Sequence, residues 1–191
     1  MLTGWTALLI AGIFEVGFTT ALKLEQKNKN YVWLFIACAV VSFGFLEEAL
    51  KRAIFSLTLK ELGAGTGDKA LQRWLRRMDD IADDTLGTLI DSFAAAMREA
   101  GIAGHSRLAG DLGAIRLNRN LLCHASWRPG RKPGHWHPTF INTKGERYPD
   151  EMDAAAVMAI HADTLEAARE VLSVMRRTGI DGEWAGHEDR P

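Results

Sequence analysis

The chain of 191 residues is poor in cysteine, proline and tyrosine, and its charges almost cancel, at −1. Each scarcity excludes something. The two cysteines, Cys38 and Cys123, lie in unlike surroundings. They give neither a disulfide framework nor a thiolate metal pattern, which suits a reducing compartment. A charge near zero excludes a molecule that binds polyanions over its whole surface, so any basic site must be local. Three of the five prolines, Pro129, Pro133 and Pro138, fall in WRPGRKPGHWHP, which therefore cannot be helix. No basic stretch precedes the first apolar run and no clear small-residue cleavage site comes after it, so a signal peptide is not expected. No internal repeat is present. The length suits one medium domain, or a small domain with an appendage.

The residues that are present divide unevenly. Residues 2–22, LTGWTALLIAGIFEVGFTTAL, carry a single charge, Glu15, and are long enough to cross a bilayer as a helix. The polar loop KLEQKNKN occupies 23–30. Then YVWLFIACAVVSFGFL gives 16 uncharged residues over 31–46, a span that needs tilt or a thinned membrane. The pair reads as a membrane hairpin over residues 1–46, because its first helix has no polar face to show to water. Lys23, Lys27 and Lys29 balance Lys51, Arg52 and Lys60, so loop charge does not set the orientation.

The run AGIFEVGFTTALK, its polar loop and WLFIACAVVSFGFL resemble the first two helices of small multidrug resistance (SMR) transporters. That resemblance implies a membrane carboxylate at Glu15, where the family binds its cationic substrate and coupling protons. An ionisable group in a membrane helix points the same way. The third-helix run of the family is missing, and the sequence turns to EEALKRAIFSLTLKEL after Leu46. The expectation is therefore a truncated, SMR-like hairpin that anchors the rest of the chain. An efflux protein fused to an unrelated soluble domain is one alternative.

From Phe43 onward the pattern is that of soluble helices. Phe43, Leu46, Leu50, Ile54 and Leu57 keep 3–4 spacing and predict a helix continuous with the second apolar segment. GAGTG (63–67) breaks it, and Asp68 is placed to cap the next helix, with Leu71, Trp74, Leu75 and Met78 as its apolar positions. DDIADD (79–84) reads as a solvated junction rather than a magnesium motif. TLGTLIDSFAAAMREAGI predicts a helix stopped by Gly101, and another helix covers about 104–126. TFINTKGERY suggests a β-hairpin around Asn142–Gly145, a final helix covers about 152–178, and 179–191 is a loose tail. The fold class is mainly α: two membrane-type helices, then a helical bundle with one small β-hairpin.

The chemistry concentrates near RNLLCHASWRPGRK. On a helix Asn120 and His124 stack on one face, Arg116 lies one turn earlier, and Arg119 reaches over the same area. Between residues 116 and 147, Arg116, Arg119, Arg128, Arg131, Lys132, Lys144 and Arg147 face one acid, Glu146, and the tryptophans 127 and 136 are interleaved. Cations for phosphates and flat rings for bases suit single-stranded RNA. A histidine beside a guanidinium suits metal-free cleavage of it. Cys123, His124, His135 and His137 lack standard ligand spacing, so no metal is expected.

Arg119, Asn120 and His124 are similar to the R-x4–6-H motif of HEPN domains, and FGFLEEALKRAIFSLT (43–58) looks like a HEPN first helix. The resemblance extends over residues 43–178. It implies a helical bundle that pairs into a homodimer and a metal-independent, cofactor-free ribonuclease of toxin or defence type, with an antitoxin protein as partner. Arg119, Asn120 and His124 are then the catalytic residues. Arg116, Trp127, Arg128, Arg131, Lys132, Lys144 and Arg147 bind the RNA. Such a chain would be held at the cell membrane through residues 2–46, with the C-terminal domain cytoplasmic. If the hairpin is not inserted, the whole chain is cytoplasmic. A non-catalytic HEPN-like binding module is the other alternative.

Overall fold

The apolar run that begins at Tyr31 does not stop at Leu46. In the computed structural model it forms one helix, α1 (Val32–Leu59), of 28 residues. The structure describes residues 31–59, 62, 67–141, 148 and 150–177. The expected helix over 2–22 with Glu15, the turn at Asn142–Gly145, and the tail at 179–191 lie outside the described residues. Beyond α1 come α2 (Asp68–Ala82), α3 (Leu86–Glu99), α4 (His105–His124), β1 (Ser126–Pro129), β2 (Trp136–Thr139) and α5 (Ala154–Arg177). The described chain is mainly helical, with one antiparallel sheet of two strands.

Of the two expected membrane-type helices, only α1 is found among the described residues to be long and apolar enough to cross a membrane. A core helix meets the same test of length and composition. Protein covers one side of α1: Val32, Ile36, Ala39, Phe43, Leu46, Leu50, Ile54 and Leu57 are buried. Val41 and Phe45 remain exposed.

The residues group into two compact units, Met1–Ser42 with Asn118–Ala162, and Phe43–Leu117 with Asp163–Pro191. The core of the second unit draws on four helices. Leu46, Leu50 and Ile54 come from α1, Leu89, Phe93 and Met97 from α3, Leu108 and Leu112 from α4, and Ala168, Val171 and Val174 from α5. Their 3–4 spacing gives each helix one apolar stripe, and each fully buried Leu or Phe side chain contributes about 1.5–3 kcal/mol. Thr85 caps α3 by accepting from the Thr88 N–H at 3.5 Å. Gly101, at φ 66°, ends it. The Ile102 N–H bonds the Met97 carbonyl at 2.9 Å and the Gly101 N–H bonds that of Arg98 at 3.1 Å, a Schellman closure.

Helix α2 departs from its expected form. Gly67, not Asp68, is the N-cap, and Gly67 offers no side-chain cap. Leu71 and Leu75, expected in the core, are 42% and 43% exposed. Only Ile81 is buried, and the helix runs on through the first four residues of DDIADD to Ala82. Periodicity predicted a face but not the depth to which that face would sink. Trp74 holds the helix instead: its indole N–H donates to the Thr58 hydroxyl at 3.0 Å, and its ring lies 4.8 Å from that of Phe55. Lys51 adds a bond to the Ala82 carbonyl.

The described hairpin is not the expected one, whose turn lies outside the described residues. Pairing occurs between Ser126–Pro129 and Trp136–Thr139, within the proline-rich stretch, in the register Trp127–Pro138 and Pro129–Trp136. Farther on, the Tyr148 N–H bonds the Phe140 carbonyl at 3.4 Å. Proline is tolerated in the ladder because of the register. Trp136 exchanges both its backbone bonds with Met152, at 2.7 Å each, so its groups point away from β1. Pro129 and Pro138 therefore occupy non-hydrogen-bonded pairs, where β1 and β2 need no N–H from them.

Phe93→Ala should cost about 3–5 kcal/mol of unfolding free energy. Gly101→Ala should cost about 1–2 kcal/mol, since alanine resists a positive φ. Urea midpoints at unchanged m-value check both.

Candidate active site on helix α4 and the hairpin

The last turns of α4 set three side chains side by side. Arg119 and Asn120 are half-buried and His124 is exposed. The Arg119 Nη1 lies 3.2 Å from His124 Nε2 and donates to Asn120 Oδ1 at 3.4 Å. A guanidinium can only donate, so the first contact is a hydrogen bond when Nε2 carries the lone pair. The imidazole then holds its proton on Nδ1. Five residues make about 1.4 turns of helix, so it is the length of the arginine that carries its guanidinium to the histidine.

Arg116 belongs to the other unit. Its Cδ and Nη1 lie 3.2 Å from where a Cβ on Gly87 would stand, so its guanidinium covers the first turn of α3. Lys144 and Arg147 lie outside the described residues.

The hairpin comes directly after α4 and has two unlike faces. Strand alternation puts Trp127, Pro129, Trp136 and Pro138 on one face and Ser126, Arg128, His137 and Thr139 on the other. The aromatic face meets Trp33 of α1. Trp33 stands edge-on to Trp127 at 6.1 Å and 69°, and to Trp136 at 5.1 Å and 72°. Such T-shaped pairs contribute about 0.5–1.5 kcal/mol beyond area burial. Trp127 is thus half-buried in a three-ring cluster. By sequence Trp33 is only part of an apolar run, since its partners are remote along the chain.

The loop between the strands is built from its residues. The Gly130 N–H bonds the His135 carbonyl at 2.7 Å, and the His135 N–H bonds the Lys132 carbonyl at 3.1 Å. Pro133 and Gly134, the latter at φ 81°, fill the central positions of a type II turn. Glu151 Oε1 accepts from the Arg131 N–H at 2.9 Å. A Cβ on residue 130 would stand 2.8 Å from both Glu151 Oε2 and the His135 carbonyl oxygen, so the close approach requires glycine there. Beside the loop, Asp153 caps α5 by accepting from the Ala156 N–H at 2.9 Å. His135 Nε2 lies 4.0 Å from the same aspartate.

On the polar side Arg128, Arg131, Lys132, His137, Asp150 and Glu151 line an open cleft of about 580 Å³. Arg128, Arg131 and Lys132 thus come together as the sequence led one to expect, but two carboxylates join them. Sequence inspection missed that Asp150, Glu151 and His137 line a cleft with these cations. The alternation His135-Trp136-His137 was a signal, but its partners were not. Burial, with the charge of Asp150 behind it, pushes the Tyr148 phenol above its ordinary value. Among the described residues no three His, Cys, Asp or Glu side chains gather as a metal site.

No family model, curated protein or solved structure matches the chain. The two family resemblances rest on the residues quoted for them.

Gly130→Ala should cost about 1–3 kcal/mol by pushing the loop off Glu151 and His135. The tryptophan cluster provides the readout, as an earlier loss of its near-UV circular dichroism on heating.

Proposed function

We propose that the chain is a metal-independent, HEPN-like endoribonuclease whose centre is Arg119, Asn120 and His124. The observation that carries this reading is the Arg119–His124 contact at 3.2 Å, with Asn120 Oδ1 on the same guanidinium. The motif residues are thereby neighbours in space as well as in sequence.

An RNA phosphate competes for the Arg119 guanidinium and releases the Nε2 lone pair. His124 then takes the proton of the ribose 2′-hydroxyl. The 2′-oxygen bonds to phosphorus, the bond to the 5′-oxygen breaks as the histidine proton passes to that oxygen, and Arg119 stabilises the charge that grows on the phosphoryl oxygens. Asn120 keeps the guanidinium in line. On this reading a second copy completes each centre, and an antitoxin protein restrains it. The length and apolar composition of α1 support attachment through residues 2–46, and an RNA substrate requires the C-terminal part to lie in the cytoplasm.

With single-stranded RNA and excess EDTA, His124→Ala should lower the cleavage rate by about 10²–10⁴-fold. Arg119→Gln should act in the same direction. A folded wild type that binds RNA without cutting it selects the non-catalytic module instead.

A further inference from the structure

The cleft beside the hairpin has a composition that a phosphate clamp does not explain. Arg128 and Lys132 suit an anion, but Asp150 and Glu151 repel one. The carboxylates need a different task. Strand register supplies one. Arg128 stands directly opposite His137. The antiparallel bridge between Trp136 and Met152 sets His137 beside Glu151 on the next segment. Met152 is buried with the tryptophan face. Alternation therefore turns Glu151 to the same side as His137 and Arg128. The three form a row across the sheet: guanidinium, imidazole, carboxylate.

We propose that this cleft is a second acid–base centre, one that cleaves the phosphodiester bonds of RNA. Glu151 is the base and His137 the acid. Arg128 and Lys132 hold the phosphate. Glu151 removes the proton from the 2′-hydroxyl, and the 2′-oxygen forms its bond to phosphorus. The bond from phosphorus to the 5′-oxygen breaks, and protonated His137 delivers its proton to that oxygen. The products are a 2′,3′-cyclic phosphate and a free 5′-hydroxyl, with no metal and no redox partner. The row is held firmly enough for such work: Glu151 Oε1 is fixed by the Arg131 N–H at 2.9 Å, which leaves Oε2 for the proton. This centre does not depend on Arg119 and His124.

The bland role for Glu151 is that of a latch on the loop. Glu151→Gln separates the two, because an amide oxygen still accepts from the Arg131 N–H but cannot take a proton. The test uses the full chain, a 5′-labelled single-stranded RNA and excess EDTA, with wild type, His137→Gln, Glu151→Gln and His124→Ala side by side, and each cleft variant also combined with His124→Ala. In the His124→Ala background His137→Gln and Glu151→Gln should each slow the remaining cleavage by about 100-fold or more at unchanged Tm, and the product should end in a cyclic phosphate. An unchanged remaining rate in both combined variants overturns this centre, as does a His124→Ala chain that does not cut. Loss in His124→Ala alone keeps the Arg119–His124 reading and removes this one. Loss in the two cleft variants with His124→Ala active does the reverse. Should His137→Gln unfold, Glu151→Gln decides.

Discussion

A helix of 28 residues with an apolar stripe along its length must cover that stripe, and most of the described structure depends on how α1 does so. Water left against Leu46, Leu50 and Ile54 would cost more than any hydrogen bond in the chain returns. In the second unit apolar residues of α3, α4 and α5 are buried together with the stripe. In the first unit Val32, Ile36 and Ala39 are buried too, and Trp33 offers its ring to the hairpin. One element thus contributes to both units, through different side chains.

The hairpin shows how packing and chemistry divide a single ribbon. Its tryptophans are engaged with Trp33, so its polar face must carry whatever it does in solution. The prolines limit it further. In these four-residue strands they fit only a register that places them in the non-hydrogen-bonded pairs. Glu151 then fixes the loop from outside, through one backbone bond and one close approach that glycine alone permits. A stiff loop, a two-faced ribbon and a carboxylate at its edge are enough to gather ionisable groups that lie far apart in sequence.

Two clusters of proton-carrying side chains result. Arg119, Asn120 and His124 are neighbours through helix geometry, so their association was legible from their spacing. Arg128, His137 and Glu151 are neighbours through strand pairing, which no local pattern announced. The two also differ in electrostatic design. In the first a guanidinium sits directly on the imidazole. In the second the imidazole stands between a cation and a carboxylate in a mixed-charge cleft.

Much of the helical frame could be read from the residues. The stripe from Phe43 to Leu57, the stop at Gly101 and the apolar positions of α4 are local properties, set by 3.6-residue periodicity and by the one residue that accepts a positive φ cheaply. The tertiary structure alone decided which stripes sank. Leu71 and Leu75 had the right spacing and stayed exposed, because burial depends on what a face meets. It also decided where the strands paired, since register is a relation between segments and proline forbids only some of its partners. Trp33 belonged by composition to an apolar run. Its part in the aromatic cluster came from a ribbon about a hundred residues away, a distance that no pattern within a helix or strand can span.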